Sequence, residues 1–343
     1  MRITKINKIT KIIKTTKKVV IMAVVTALTV VLSACGTAKN SGSEETIGNE
    51  TTSGSSKQTV KIAYLPITHA LPLYIENELG KQSFKNIDVE LVKFGSWPEL
   101  MDALNTGKVD GASVLIELAI KAKEQGIDLK AVALGHRDGN VVVVSNDINS
   151  TADLKGKTFA IPHRLSTHNI LLYQMLKDAG MSFSDLQVIE LPPPEMPAAL
   201  AEGRISGYLV AEPFGAKSVA NGTGKLLFHS HDIWEDSVCC ALVLRNEFIK
   251  GKGEAASELI KEYVDAGNYI NSKGEKVDDI AKQYLKVEQN VLDLSLEWIS
   301  YKDLKIYEKD YNALRDYMIE MDLSENPPLY NDFVDNSLIE NVK

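Results

Sequence analysis

The chain reads as an α/β protein of two lobes with a helical C-terminal segment. Three observations predict this. From residue 58, short β-branched runs alternate with amphipathic stretches; after Asp147 the alternation starts afresh; beyond Ala255 it stops, leaving helical segments rich in Lys, Glu and Tyr with no evident strand. Two successive βα blocks build two layered lobes. Such lobes bind ligands beyond the carboxyl ends of their strands, at helix N-termini.

In the first block, Val60–Leu65 is strand-like and is ended by Pro66. Leu71–Leu79 forms a short helix with Gly80 just past its end. Val89–Phe94 is a second strand. Ser96 then opens a helix: it caps, Glu99 completes a capping box, and Pro98 suits the first turn. Gly111–Leu115, Ala131–Leu134 and Val141–Val144 follow as third, fourth and fifth strands.

In the second block, Thr158–Ile161 is a strand, and Ser166 or Thr167 caps a helix that runs through Lys177 to Gly180. Gln187–Leu191, Gly207–Val210 and Lys225–Phe228 are further strands, and Pro197–Glu202 is helical. Cys240–Leu244 reads as a strand returning to the first lobe. Asn326-Pro327-Pro328 breaks the last helix and leaves an acidic tail.

The N-terminus follows a different logic. Residues 1–18 carry seven Lys or Arg and no acid, and Val19–Leu32 is apolar apart from its threonines. That stretch of about 14 residues is too short for a bilayer core of roughly 30 Å. Leu32-Ser33-Ala34-Cys35 closes it with small residues before a cysteine, as a secretion peptidase requires. The run resembles a lipobox, which implies lipidation of Cys35 and removal of residues 1–34; an uncleaved anchor helix is the other reading. Gly36–Lys57 is Gly, Ser, Thr, Asn and Glu with almost nothing apolar, a disordered tether. The expected organisation is a signal peptide at 1–34, a tether at 35–57, first lobe at 58–145, second lobe at 146–239, and a return to the first lobe plus C-terminal helices at 240–343.

Charge narrows the partners. The chain carries 38 Lys+Arg and 46 Asp+Glu. Residues 1–34 hold seven of the bases and none of the acids, so the remainder has 31 bases against 46 acids, a net −15 with His neutral. So acidic a domain argues against nucleic acid as a partner. It also means that an anionic ligand needs local positive potential. With Cys35 lipidated, only Cys239 and Cys240 remain, and neighbouring cysteines make a poor structural disulfide.

The loops after the strands hold the candidate residues. Thr167-His168 stands at a helix start behind a strand, where free N–H groups favour an anion; the same pair also reads as an N-cap followed by an exposed first-turn residue. Trp97 begins the opening helix of the other lobe and can cover a flat ligand or pack beneath the capping box. His69, Glu117, Asn140, Glu212 and Cys240 occupy the remaining loops. His229 and His231 lack further ligands at convincing spacing, so no metal site is expected there. Cys239 and Cys240, as strand neighbours, are expected to face opposite ways and serve as small core and cleft residues. GxxxxGK[ST], GxSxG and HExxH are all absent.

Ser96-Trp97, Lys108–Ala112, Thr167-His168, Pro192–Met196, Glu212-Pro213-Phe214 and Ile233-Trp234, in this order and spacing, resemble the substrate-binding lipoproteins of ABC importers, within the nitrate/sulfonate/taurine group. The resemblance covers about residues 58–250. It implies a type II periplasmic-binding-protein fold with a ligand cleft, acting as a lipid-anchored, extracytoplasmic monomer beside a permease and its ATPase, without a cofactor. Nitrate-binding relatives surround the anion with a tryptophan, an amide, a histidine and a lysine. Trp97 and His168 match the first and third, Asn140 stands near the amide, and the lysine position falls on Cys240. The implied solute is a small oxyanion: nitrate, an aliphatic sulfonate or a taurine-like compound. A thiamine pyrimidine precursor or another flat heterocycle is the alternative. An enzyme resembling the thiamine-pyrimidine synthases is the remaining reading, but the cleft loops offer no cofactor lysine and Cys239-Cys240 lacks the longer cysteine motif.

Overall fold

The computed structural model describes residues 57–342. The expected signal peptide, Cys35 and the tether up to residue 56 lie outside the described residues. Among those described, no helix is long and apolar enough to cross a membrane.

The first βα run comprises β1 (Gln58–Tyr64), α1 (Leu71–Leu79), β2 (Ile87–Lys93), α2 (Trp97–Asn105), β3 (Gly111–Leu115), α3 (Ile116–Glu124) and β4 (Leu129–Leu134). The chain then passes through a two-residue strand β5 (Arg137–Asp138) into β6 (Asn140–Val144). The second run follows as β7 (Thr158–Ile161), α4 (Thr167–Asp178), β8 (Gln187–Glu190), α5 (Met196–Ala201), β9 (Gly207–Ala211), α6 (Phe214–Ala220), β10 (Lys225–His229) and α7 (Ser230–Ile233). Strand β11 (Cys240–Arg245) precedes the C-terminal helices α8 (Asn246–Gly251), α9 (Gly253–Asn271), α10 (Val277–Leu285) and α11 (Gln289–Glu297). Strand β12 (Ile299–Ser300), α12 (Glu308–Glu320), α13 (Tyr330–Phe333) and α14 (Ser337–Glu340) complete the chain.

Two five-stranded sheets share one plan. The first has the order β2-β1-β3-β11-β4, the second β8-β7-β9-β6-β10. In each, three parallel strands come from one βα run, and the fourth position is an antiparallel strand that the chain supplies as it crosses between sheets. Strand β11 lies between β3 and β4 and so returns to the first sheet. Strand β6 does the converse. Val141–Val144, expected in the first lobe, pairs with β9 and β10 in the second sheet. The reason is the crossing itself: β6 follows β4 in sequence but is carried over by residues 135–139 to become the second sheet's antiparallel member. Its four valines alternate as a strand buried on both faces requires. Val141 and Val143 pack with Met196 and Tyr208, while Val142 and Val144 pack with Phe159 and Leu171.

The helix from Trp97 begins where expected, with Ser96 at the N-cap, but the Ser96 side chain makes no capping hydrogen bond. The C-terminal region is less purely helical than expected, because β12 pairs with β5. It also straps both lobes: α9 and α10 pack on α1, and α11 packs on α6. The tail beyond Pro328 folds back, with Phe333 fully buried in the main core.

Candidate functional site: a buried cluster between the sheets

The strand ends and the two crossings deliver a compact polar cluster. His69 sits in the turn after β1, His136 in the crossing after β4, Asn140 at the start of β6, and Cys239 and Cys240 at the end of the return crossing. Glu117 lies in the first turn of α3, directly after β3, and Thr167 and His168 open α4 behind β7. All of these side chains are buried, none more than 3% exposed. Gly135 permits the approach of the first crossing: a Cβ there would stand 2.6 Å from the His69 carbonyl oxygen.

Carbonyl partners fix the imidazole tautomers. His69 Nε2 lies 3.0 Å from the Gly139 carbonyl and His136 Nδ1 lies 2.6 Å from that of Asp138. A carbonyl only accepts, so those two nitrogens carry the protons. His69 Nδ1 is thereby left with a lone pair, 3.4 Å from Cys240 Sγ and 3.9 Å from Cys239 Sγ. The two rings stack with centroids 3.4 Å apart. His136 Nε2 and both nitrogens of His168 have no hydrogen-bond partner among the described residues. Burial, first, and the neighbouring His69 imidazole push the His136 pKa down to about 4, and burial does the same to His168.

The cysteines do not part as strand neighbours would. Cys239 precedes β11, outside the regular pleat, and the two sulfurs lie 3.9 Å apart as free thiols. Cys239 also approaches the Asn140 side-chain oxygen at 3.8 Å. Burial raises both thiols. For Cys239 the neighbouring Cys240 thiol and the three imidazoles outweigh burial and hold it well below an ordinary thiol. Cys240 is pushed up by burial and by Cys239.

Thr167 links the lobes. Its hydroxyl meets the Glu117 carboxyl and, at 2.5 Å, the Val238 carbonyl. A hydroxyl has one proton for these two oxygens. A Glu117 carboxyl that keeps its own proton completes the chain: it donates to Thr167, which donates to Val238. Burial, reinforced by Cys239, raises Glu117 well above the carboxylate range, as this requires. The second Glu117 oxygen has no partner among the described residues. Ser166, not Thr167, is the N-cap, its Oγ accepting the Asn169 N–H at 3.3 Å.

Two expected residues stand apart. Glu212 is buried, but its carboxyl group accepts the Ala216 N–H at 2.9 Å and lies 3.1 Å from the Ser295 hydroxyl, while its carbonyl accepts both the N–H and the hydroxyl of Thr68. It braces α6, α11 and the first lobe and leaves little of itself for a ligand. Trp97 is buried in the first lobe's core with its indole N–H unpartnered among the described residues. His229 and His231 stack at the surface, with His231 beside Asp138 and Asp232. Sequence reasoning missed His136 and Cys239 as site residues. Their signal was position, since each lies in a segment that carries the chain from one sheet to the other.

The model of the NMT1-like family matches residues 53–285. A Staphylococcus aureus protein described as the ligand-binding component of an ABC-type import system, crystallised with zinc bound, is 41% identical, with a TM-score of 0.79 over 84% of this chain and 99% of that one. The putative aliphatic sulfonates-binding protein of Escherichia coli K12 is 27% identical over 52% of this chain and 57% of its own length. The periplasmic nitrate-binding protein NrtA from Synechocystis PCC 6803 is 19% identical with a TM-score of 0.74, over 84% of this chain and 88% of that one, a likeness of fold. The fold is that of the periplasmic binding proteins, and these relatives are binding proteins rather than enzymes. The chain spans between 36% and 57% of the length of four curated relatives that it matches.

Proposed function

The chain belongs to the NMT1-like family, and on that premise we propose that it is the solute-binding component of an ABC importer. It captures a small molecule outside the cytoplasm and delivers it to a permease and its ATPase. The lipobox-like run Leu32-Ser33-Ala34-Cys35 supports a lipid anchor on Cys35 in this reading. One observation carries the binding role: side chains from both sheets meet in a closed, buried cluster whose His168 ring is unpartnered at both nitrogens among the described residues. Unpaired polar groups that are buried cost about 1–3 kcal/mol each, and a ligand that pairs them recovers this.

The solute is a small oxyanion of the nitrate, aliphatic-sulfonate or taurine-like class. The α4 N-terminus and the N–H of His168 suit the oxyanion, with Asn140 to orient it. The free Glu117 oxygen suits an amine at the other end, which favours the taurine-like member. A flat, uncharged heterocycle such as a thiamine pyrimidine precursor is the second reading. It is favoured by Cys240 at the position of the nitrate binders' lysine, since none of the gathered side chains is a cation to pair with an anion. Calorimetry of the purified chain against nitrate, taurine, alkanesulfonates and the thiamine pyrimidine decides. Heat from taurine or a sulfonate, weakened about tenfold or more in His168→Ala, is expected. No heat from any anion overturns the oxyanion reading.

A further inference from the structure

The cluster contains a second, separable arrangement. His69, His136, Cys239 and Cys240 each present one ligand atom, and all four atoms lie within 4.8 Å of one another. His69 Nδ1 and the two sulfurs form a triangle with edges of 3.4, 3.9 and 3.9 Å. Zinc–sulfur bonds of about 2.3 Å and zinc–nitrogen bonds of about 2.0–2.1 Å, set tetrahedrally, separate the ligand atoms by about 3.3–3.8 Å. The triangle therefore has the dimensions of one face of a tetrahedral site, and His136 Nε2 is the free donor for the fourth corner.

The surroundings match what a metal-binding imidazole needs. Each ring donates its other N–H to a backbone carbonyl, His69 to Gly139 and His136 to Asp138. Such outer bonds fix the tautomer and aim the remaining lone pair. Charge also balances: a divalent ion with two thiolates and two neutral imidazoles is neutral overall, so its burial avoids the cost of an isolated charge. Sulfur with imidazole in tetrahedral array selects zinc-like ions over calcium or magnesium.

We propose that His69, His136, Cys239 and Cys240 form a tetrahedral binding site for a thiophilic divalent metal ion of the zinc class. As the ion binds, two metal–sulfur bonds form and the thiol protons pass to solvent; no redox change is involved. The donors exclude His168, Thr167, Glu117 and Asn140, so the ion and the solute use different side chains of one cleft. The site stands whether or not the oxyanion reading does.

The test is a titration of the reduced, chelator-stripped, purified chain with Co2+ and then Zn2+. One Co2+ per chain, with strong thiolate-to-cobalt charge-transfer absorption displaced by one Zn2+, is expected. Cys239→Ser and Cys240→Ser should each remove about half of that absorption, and His136→Gln should weaken binding about tenfold or more. If a variant does not fold, the unsubstituted chain suffices: Zn2+ should slow labelling of both thiols by a thiol reagent. A folded, reduced chain with no charge-transfer band, or with labelling rates unchanged by Zn2+, overturns the site. Stoichiometric Zn2+ with no heat from any solute sinks the solute reading and supports the site; solute heat from a chain that takes up no metal does the reverse.

Discussion

Glu212 shows how much one buried carboxyl can set. Burial raises its pKa from 4.5 to about 8, only partly offset by the Ala216 N–H and the Ser295 hydroxyl. The folded chain then holds a proton that the unfolded chain loses near 4.5, so stability falls as pH rises between those values. The contribution is complete below about 4.5 and gone above about 8, and each unit of difference is worth about 1.4 kcal/mol. Glu212→Gln removes this dependence. The melting temperature of the unsubstituted chain relative to the variant should fall steadily from pH 5 to pH 8; a constant difference would show that Glu212 does not titrate there. Residue type told little of this in advance. The place of Thr167 and His168 at the start of α4 was legible because capping residues behind a strand announce a helix start. The occupation of Glu212 by Ala216 and Ser295 was not, because Ser295 lies 83 positions away.

At the level of elements, most of the fold could be read from period and punctuation: α1 ends before Gly80 as the spacing implied, and α4 takes Ser166 of the two capping candidates, Ser166 and Thr167. Strand β6 could be recognised as a strand but not assigned to a sheet. Its valines are apolar on both faces, and such a run carries no record of its neighbours. The same limit hid the cysteine pair, since whether Cys239 is inside or just before β11 decides which way its thiol points. The crossings themselves are tightly specified. Gly135→Ala would press a methyl against the His69 carbonyl, so urea unfolding should show a loss of about 1–3 kcal/mol. Gly251→Ala, which meets nothing within 4 Å, should cost far less.

For the molecule as a whole, the buried cluster means that any occupant enters by separation of the lobes. Thr167 on α4 meets Glu117 on α3, and Thr68 meets Glu212, so opening breaks hydrogen bonds made across the gap. Association should therefore run slower than the 10⁵–10⁷ M⁻¹s⁻¹ or so of simple docking. Stopped-flow mixing with the solute found by calorimetry checks this through an observed rate that saturates with concentration; a rate linear to high concentration would place the open form in the majority.

The exchange of antiparallel strands between the sheets also sets a timetable. Strand β11 fills the gap between β3 and β4, yet it follows them by more than a hundred residues. A chain emerging N-terminus first exposes the edges of β3 and β4 until Arg245 appears, whereas the second sheet has all its strands once His229 is out. Such edges invite pairing with other chains, and closure over so long a separation is slow. The lobe that begins first must be finished last. A chain shortened to end at Cys239 should keep the second sheet's protection from hydrogen exchange and lose the first's, leaving β3 and β4 as the segments through which newly made molecules would stick together.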